Sequence, residues 1–294
     1  MRLLLVSACA LLLGASMPAG EWQPLYQRVD PGLQAALEKR LNSNGEWARL
    51  IRNKKMAIGL VDMSNGTPRF ARVNGNHMMY AASLPKIAIL LGVYASFEDG
   101  SLKETPSIRK DLDDMIRVSS NPAATRLMDL VGMRKIQAVL QDPRYGFYDE
   151  DRGGGLWVGK RYAASGTRIG DPMHNISHGA TATQVCRFFY LLATGRLISP
   201  ERSQQMLANL ENPGLHHKFV APAERRAPRA TLYRKSGTWQ NWHSDAIMVH
   251  GTRWRNYILV GLIESPNGER ILREVLPAIE EIIVPPEFAA SMAD

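Results

Sequence analysis

The chain has 294 residues, 45% hydrophobic and 22% charged, a globular composition long enough for a large core, which excludes a disordered, collagenous or coiled-coil protein. Lys plus Arg is 36 against 28 for Asp plus Glu, a net charge of +8 spread along the chain, which favours acidic or carboxylate-bearing partners without naming one. The only cysteines are Cys9 and Cys186, so a disulfide framework and a Cys-based zinc site are excluded.

Met1-Arg2, the apolar run from Leu3 to Ala15 and then Pro18-Ala19-Gly20 form a secretory signal peptide pattern over residues 1–20. The run is too short to span a bilayer before Glu21, and Val6-Ser7-Ala8-Cys9 has almost no apolar core ahead of it, unlike a lipoprotein signal. No later segment is long and apolar enough to span a membrane. A secreted, periplasmic protein without stable membrane insertion is therefore expected.

Apolar spacing predicts a helix from Pro31 to Arg52, then strands Lys55 to Val61 and Arg69 to Val73 around the Asn65-Gly66 turn. Helices follow over Leu84–Phe97, Ile108–Val118, Asn121–Val131, Arg134–Leu140 and Thr183–Leu192, with Thr181 to Gln184 reading as a capping box. Between the last two lies glycine-rich irregular chain from Arg144 to Gly179, long enough to expect a function. Strands return at Thr231–Lys235, Asp245–Val249 and Tyr257–Ile263, and a helix closes the chain over Gly268–Ile283. This order predicts an α/β (α+β) fold: one antiparallel sheet built from both chain ends, flanked by helices, with a helical subdomain inserted in the middle. Residues 21–294 then make a single domain, its sheet part about 21–80 and 200–294 and its helical subdomain about 81–199. There is no internal repeat and no low-complexity segment.

Three short motifs stand in order. In Ser83-Leu84-Pro85-Lys86 at a helix start, residues three apart share a face, so Lys86 can take the proton of the Ser83 hydroxyl while the helix end stabilises an oxyanion. Ser119-Ser120-Asn121 before Pro122 offers a proton relay in Ser119 and an amide binder in Asn121, or plain helix capping. Lys235-Ser236-Gly237-Thr238 at a strand end offers a charge, two hydroxyls for a carboxylate and a gap where substrate approaches. Each is unremarkable alone. The ordered trio resembles the S-x-x-K, S-D-N and K-T-G set of class A β-lactamases and penicillin-binding proteins. Leu191 to Leu197 with Ser199-Pro200-Glu201 is also similar to the stretch after that family's Ω loop.

The resemblance implies a serine hydrolase acting on cyclic amides, with no cofactor. Ser83 would be the acylated nucleophile, Lys86 its base, Ser119 the proton shuttle and Lys235 its support. Asn121, Ser236, Gly237 and Thr238 would bind substrate, and the backbone N–H groups of Ser83 and Thr238 would form the oxyanion hole. The substrate would be a small-molecule β-lactam or a cell-wall peptide.

The sequence departs from the pattern at two places. Ser120 stands where the family has Asp, and the short spacing from Ser83 to Ser119 implies a trimmed helical subdomain and a more open cleft. Class A enzymes activate their deacylating water with a glutamate in an Ω-loop E-x-x-L-N, and Arg144–Gly179 contains no such motif. Within it Asp171, His174 and His178 are the candidates for a non-standard base. His174 and His178 would share a metal-ligand face only in a helix, which Asn175, Ser177 and Gly179 oppose, so no metal is expected. The expected activity is that of an exported β-lactamase with an unconventional deacylation base. Its alternatives are a D,D-peptidase or penicillin-binding protein with slow turnover, and a non-catalytic cell-wall or protein-binding module. Trp157, Trp239 and Trp242 would either wall the site or pack in the core, and Cys186 reads as a buried thiol. No basic stripe with interleaved aromatics supports nucleic-acid binding.

Overall fold

Strand β1 (Met56–Asp62) is apolar on both faces and must be covered on both: Met56, Ile58 and Leu60 enter one core, Ala57 and Val61 the other. It pairs with β2 (Arg69–Val73) on one side and β10 (Asn256–Glu264) on the other. Beyond β10 come β9 (Trp242–His250) and β8 (Thr231–Trp239), giving the antiparallel order β2-β1-β10-β9-β8 in this computed structural model. The structure describes residues 22–252 and 254–289, so the expected signal peptide lies outside the described residues.

One face of the sheet is covered by α1 (Pro31–Asn42), α2 (Gly45–Arg52), α9 (Val220–Arg226) and α10 (Gly268–Ile283). The other carries α3 (Lys86–Glu98), α4 (Pro106–Arg117), α5 (Asn121–Val131), α6 (Met133–Gln141), α7 (Ala182–Ala193) and α8 (Pro200–Leu210). Helix α7 lies so close to β1 that a side chain at Gly59 would put its Cβ 2.6 Å from Cys186 Sγ. Cys186 is fully buried, and burial pushes its thiol up. Among the described residues no helix is long and apolar enough to cross a membrane.

Most elements stand where the periodicity puts them, and the helix expected over Pro31–Arg52 is two. Asn44 interrupts it, its side chain accepting from the N–H groups of Glu46 and Trp47 and so starting α2. Thr181 caps α7, yet Gln184 turns to the Tyr26 hydroxyl instead of returning to the cap, so the capping box is half made. The glycine-rich stretch is less irregular than its composition suggests. It holds β4 (Tyr148–Asp149) paired with β5 (Gly154–Gly155), then β6 (Trp157–Val158) and β7 (His178–Ala180). Strand β7 also pairs with β3 (Met79–Tyr80), which ties the end of this loop to the segment just before Ser83.

Candidate active site

Ser83 lies on a tight turn ahead of α3, one turn earlier than a helical serine would, with the Lys86 N–H donating to the Ser83 carbonyl at 3.2 Å. The turn is held on two sides: Ala81 N donates to His178 O at 2.9 Å, and Ser244 Oγ donates to Ala81 O at 2.7 Å. Ala82 has φ +51°, a conformation costing an alanine about 1–3 kcal/mol that these tethers must offset. A Cβ at Gly237 would sit 2.3 Å from Ala81 O and 2.5 Å from Ser83 N. The glycine therefore makes room for the Ser83 turn and places the backbones of Ser83 and β8 side by side.

Lys86 is completely buried and donates to Ser119 O at 2.6 Å, Ser119 Oγ at 3.3 Å and Asn121 Oδ1 at 2.8 Å. Lys235, also buried, donates to the same Ser119 Oγ at 2.9 Å and to Ser236 O at 2.8 Å. Ser119 itself has φ +60°, which turns its carbonyl toward Lys86. The capping role falls to Ser120, whose side chain accepts from Ala123 N at 3.2 Å and frees Ser119 for the lysines. Burial pulls Lys86 down to about 7. Burial, then the neighbouring cations Lys86 and Arg234, holds Lys235 well below its ordinary value. Two ammonium groups on one hydroxyl repel, so one lysine is readily neutral and able to accept a proton. With both lone pairs of Ser119 Oγ taken by lysines, its single proton is left for donation to another acceptor.

A third lysine was not signalled by any motif. Lys218 is completely buried behind β8 and donates to Gly237 O at 2.6 Å, Thr238 Oγ1 at 2.8 Å and Ser244 O at 3.1 Å. Burial lowers it to about 8, against the attraction of Asp245. Asp245 forms a buried two-point pair with Arg234 at 2.7 and 3.1 Å and accepts from Phe219 N at 3.1 Å, which pins the Lys218 segment to the sheet. Thr238 is thus backed by a buried cation, and its partner Ser236 is buried outside the cavity lining.

Ser83, Asn121 and Thr238 open into a cavity of about 540 Å³, closed on the loop side by Tyr162, Ser177 and His178. Tyr162 was likewise unforeseen. Its ring lies 4.5 Å from Lys86 Nζ and 4.4 Å from the His178 ring, and its hydroxyl donates to Ala82 O at 3.1 Å. His178 faces the cavity, but burial lowers it to about 4 and both nitrogens are engaged, Nε2 with Lys160 O at 3.0 Å and Nδ1 with Ser177 Oγ at 3.2 Å. A neutral ring with Nε2 against a carbonyl carries its proton there, so Nδ1 accepts from Ser177.

Asp171 and His174 are not brought to this cavity. Burial raises the Asp171 carboxyl, and hydrogen bonds from Ile176 N, His174 N and the Tyr148 hydroxyl outweigh it and hold the group below its ordinary value. That carboxylate shapes its own turn, and His174 Nδ1 lies against it at 3.3 Å. Trp157 is core, 3% exposed, while Trp239 and Trp242 line the cleft. An E-x-x-L-N string does occur, at Glu38 to Asn42, but on α1 across the sheet, where Glu38 accepts from Gln34 at 2.7 Å. A larger hollow of about 620 Å³ beside α9 contains the His216–Glu224 pair and no serine, lysine or cysteine.

The family model described as "Beta-lactamase enzyme family" matches residues 101–283. A search of curated proteins returns no match. Among solved structures, a β-lactamase from Sphaerobacter thermophilus superposes with TM-score 0.62 at 18% identity, covering 86% of this chain and 99% of that one. A β-lactamase from Xanthomonas campestris gives 0.63 at 15% identity, covering 86% and 99%. A protein described as PBP-A gives 0.60 at 17%, covering 86% and 98%. At these identities the likeness is one of fold.

Proposed function

The chain belongs to the beta-lactamase enzyme family, serine hydrolases of the β-lactamase and penicillin-binding type, and we propose that it works at the penicillin-binding end of that range: it acylates Ser83 readily and releases the acyl group slowly. The substrate is a β-lactam or the amide of a cell-wall peptide, met outside the cytoplasm as the leader-like N-terminus implies.

In the proposed reaction Ser83 Oγ attacks the amide carbonyl carbon and its proton passes to neutral Lys86. The carbonyl oxygen becomes an oxyanion between the N–H groups of Ser83 and Thr238, whose backbones the bare Gly237 keeps adjacent. The C–N bond then breaks and the Ser119 hydroxyl gives its proton to the departing nitrogen. Lys86, which took the Ser83 proton, reprotonates Ser119 directly or by way of Lys235. Asn121 Oδ1 is held by Lys86, which leaves its N–H groups for the acyl amide. Thr238, with Lys218 behind it, receives the substrate carboxylate.

The observation that carries slow release is Tyr162. Its neutral ring lies over Lys86 on the loop side, and the polar loop groups Asp171 and His178 are spent on the loop's own backbone and neighbours. Among the described residues no carboxylate lines this cavity, and the imidazole that does, His178, is spent on Lys160 and Ser177. Intact-protein mass spectrometry with a penicillin and with a carbapenem tests this. A Ser83 adduct that persists for hours while little drug is consumed, and that Ser83→Ala abolishes, is expected. An adduct that decays as many equivalents of drug disappear would make the protein a β-lactamase with an unconventional base, and no adduct at all would leave a non-catalytic module.

A further inference from the structure

The cavity above Ser83 continues past it. Tyr80, Ser177 and Trp239 line both that cavity and a second hollow of about 350 Å³, whose far side is formed by Ile176, Trp242 and Arg168. Trp239 is 57% exposed at the end of β8, directly opposite Trp242 at the start of β9. The Tyr80 ring meets Trp242 edge-on at 6.0 Å, so the three rings form a standing apolar wall. An indole this exposed, beside a nucleophile, is placed for contact with a ligand.

Arg168 faces this wall from the loop, on a short hairpin in which it bridges Lys160. Its guanidinium is fixed by two oxygens of Asn175, Oδ1 at 2.7 Å and the backbone carbonyl, both of them neutral. Among the described residues no carboxylate pairs with Arg168 or with Lys160, and none lines either hollow. Arg161 between them is different, because Asp129 neutralises it at 2.6 Å. A held, uncompensated guanidinium at the end of an aromatic wall is recognition geometry for a carboxylate on a planar or apolar arm.

We propose that the extension past Ser83 is a second anionic subsite, selecting acyl donors whose arm lies against Trp239 and Trp242 and carries a carboxylate to Arg168. This rests on acylation at Ser83. The substrate would then bear two carboxylates, one received at Thr238 and one at Arg168. The arm of a β-lactam and the arm of an acidic cell-wall peptide share this chemistry.

Carbenicillin and benzylpenicillin differ in their arm by one carboxylate beside the same phenyl ring. The rates at which each labels Ser83 are compared in the wild type, R168Q, R168K and R168E. The ratio of carbenicillin to benzylpenicillin is expected to fall about fivefold in R168Q, to be restored in R168K and to fall further in R168E, and to shrink in the wild type at high salt. W239A is expected to slow both penicillins several-fold and leave their ratio alone. Competition for labelling by an acyl-D-alanyl-D-alanine peptide with a free arm carboxylate, against its amidated twin, assigns the natural source. Stronger competition by the free acid supports a peptide arm, and equal competition alongside the penicillin preference supports a β-lactam arm. If both penicillins label Ser83 and their ratio is the same in R168Q and the wild type, this inference is overturned and the acyl-enzyme reading stands. If neither labels Ser83, the acyl-enzyme reading falls and the subsite with it.

Discussion

The two walls of the cleft are built on opposite principles. On the wall made by α3, the Ser119 turn and β8, the polar groups are aimed at one another across long sequence separations: Lys86 and Lys235 meet on Ser119 Oγ. On the loop wall, comparable groups are turned inward. Asp171 caps its own turn, and His178 is bonded to Lys160 and Ser177. The first wall holds buried cations ready to exchange protons, whereas the second uses its polar atoms as structure. The groups that the proposed acylation uses thus stand on one side of the cleft, while the loop groups nearest Ser83 shape the other.

The sharpest way to break this comparison is to remove the proposed proton acceptor. Lys86→Met is expected to slow acylation by about 1,000-fold, read as the rate of Ser83 labelling. Because burial lowers Lys86 to about 7 and the neutral amine is the proposed base, the wild-type rate is expected to rise with pH through that value and to fall below it. A pH profile flat through that region would remove Lys86 from the role. Gly237→Ala comes next. Its Cβ would press on Ser83 N, and displacing the nucleophile turn by a fraction of an ångström to one ångström is expected to cost about 100-fold in acylation with folding retained.

Tyr162→Glu tests the loop wall by putting a carboxylate beside Lys86. Decay of the Ser83 adduct is expected to quicken by about tenfold or more, since a positioned base contributes at least that much. A lifetime unchanged in this variant, with the protein still acylated, would show that Tyr162 is not what limits release. The smallest effect on chemistry is expected from Asp171→Asn, which takes charge from an acceptor of several N–H groups and should cost about 1–3 kcal/mol of stability, with acylation little altered. The folded Asp171 carboxyl is held below its ordinary value, so its contribution is present above the ordinary carboxylate range and is lost as pH falls through the folded value. Denaturation midpoints of wild type and variant should therefore converge in acid.

The grouping of Ser83, Lys86, Ser119, Asn121 and Lys235 was legible because the spacing within each motif is local and their order along the chain carries the rest. Lys218 was not, because in His216-His217-Lys218 it reads as a solvated basic loop. The segment is held inside by Asp245, which pairs with Arg234 and accepts from Phe219 N, and by the bonds of Lys218 itself to Gly237, Thr238 and Ser244. Tyr162 sits in a stretch of small and basic residues with no periodicity, and over Lys86 it is tied by its hydroxyl to the Ala82 carbonyl, a contact distant in sequence. Glu38 to Asn42 teaches the converse, a family motif on a helix that never approaches the cleft. Asn44 shows why one helix became two: apolar spacing continues across it, and the side chain that interrupts it acts through hydrogen bonds that periodicity does not register.

The pairing of β1 with β10 has a consequence for how the protein is made. Met56 lies opposite Ile263, and Gly237 against the Ser83 turn, so the strands that back this turn follow it far along the chain. Contacts of such long range form late and slowly. Until β8 is made and paired the Ser83 turn therefore lacks its backing, and in this topology closing the sheet and shaping the candidate site become one event.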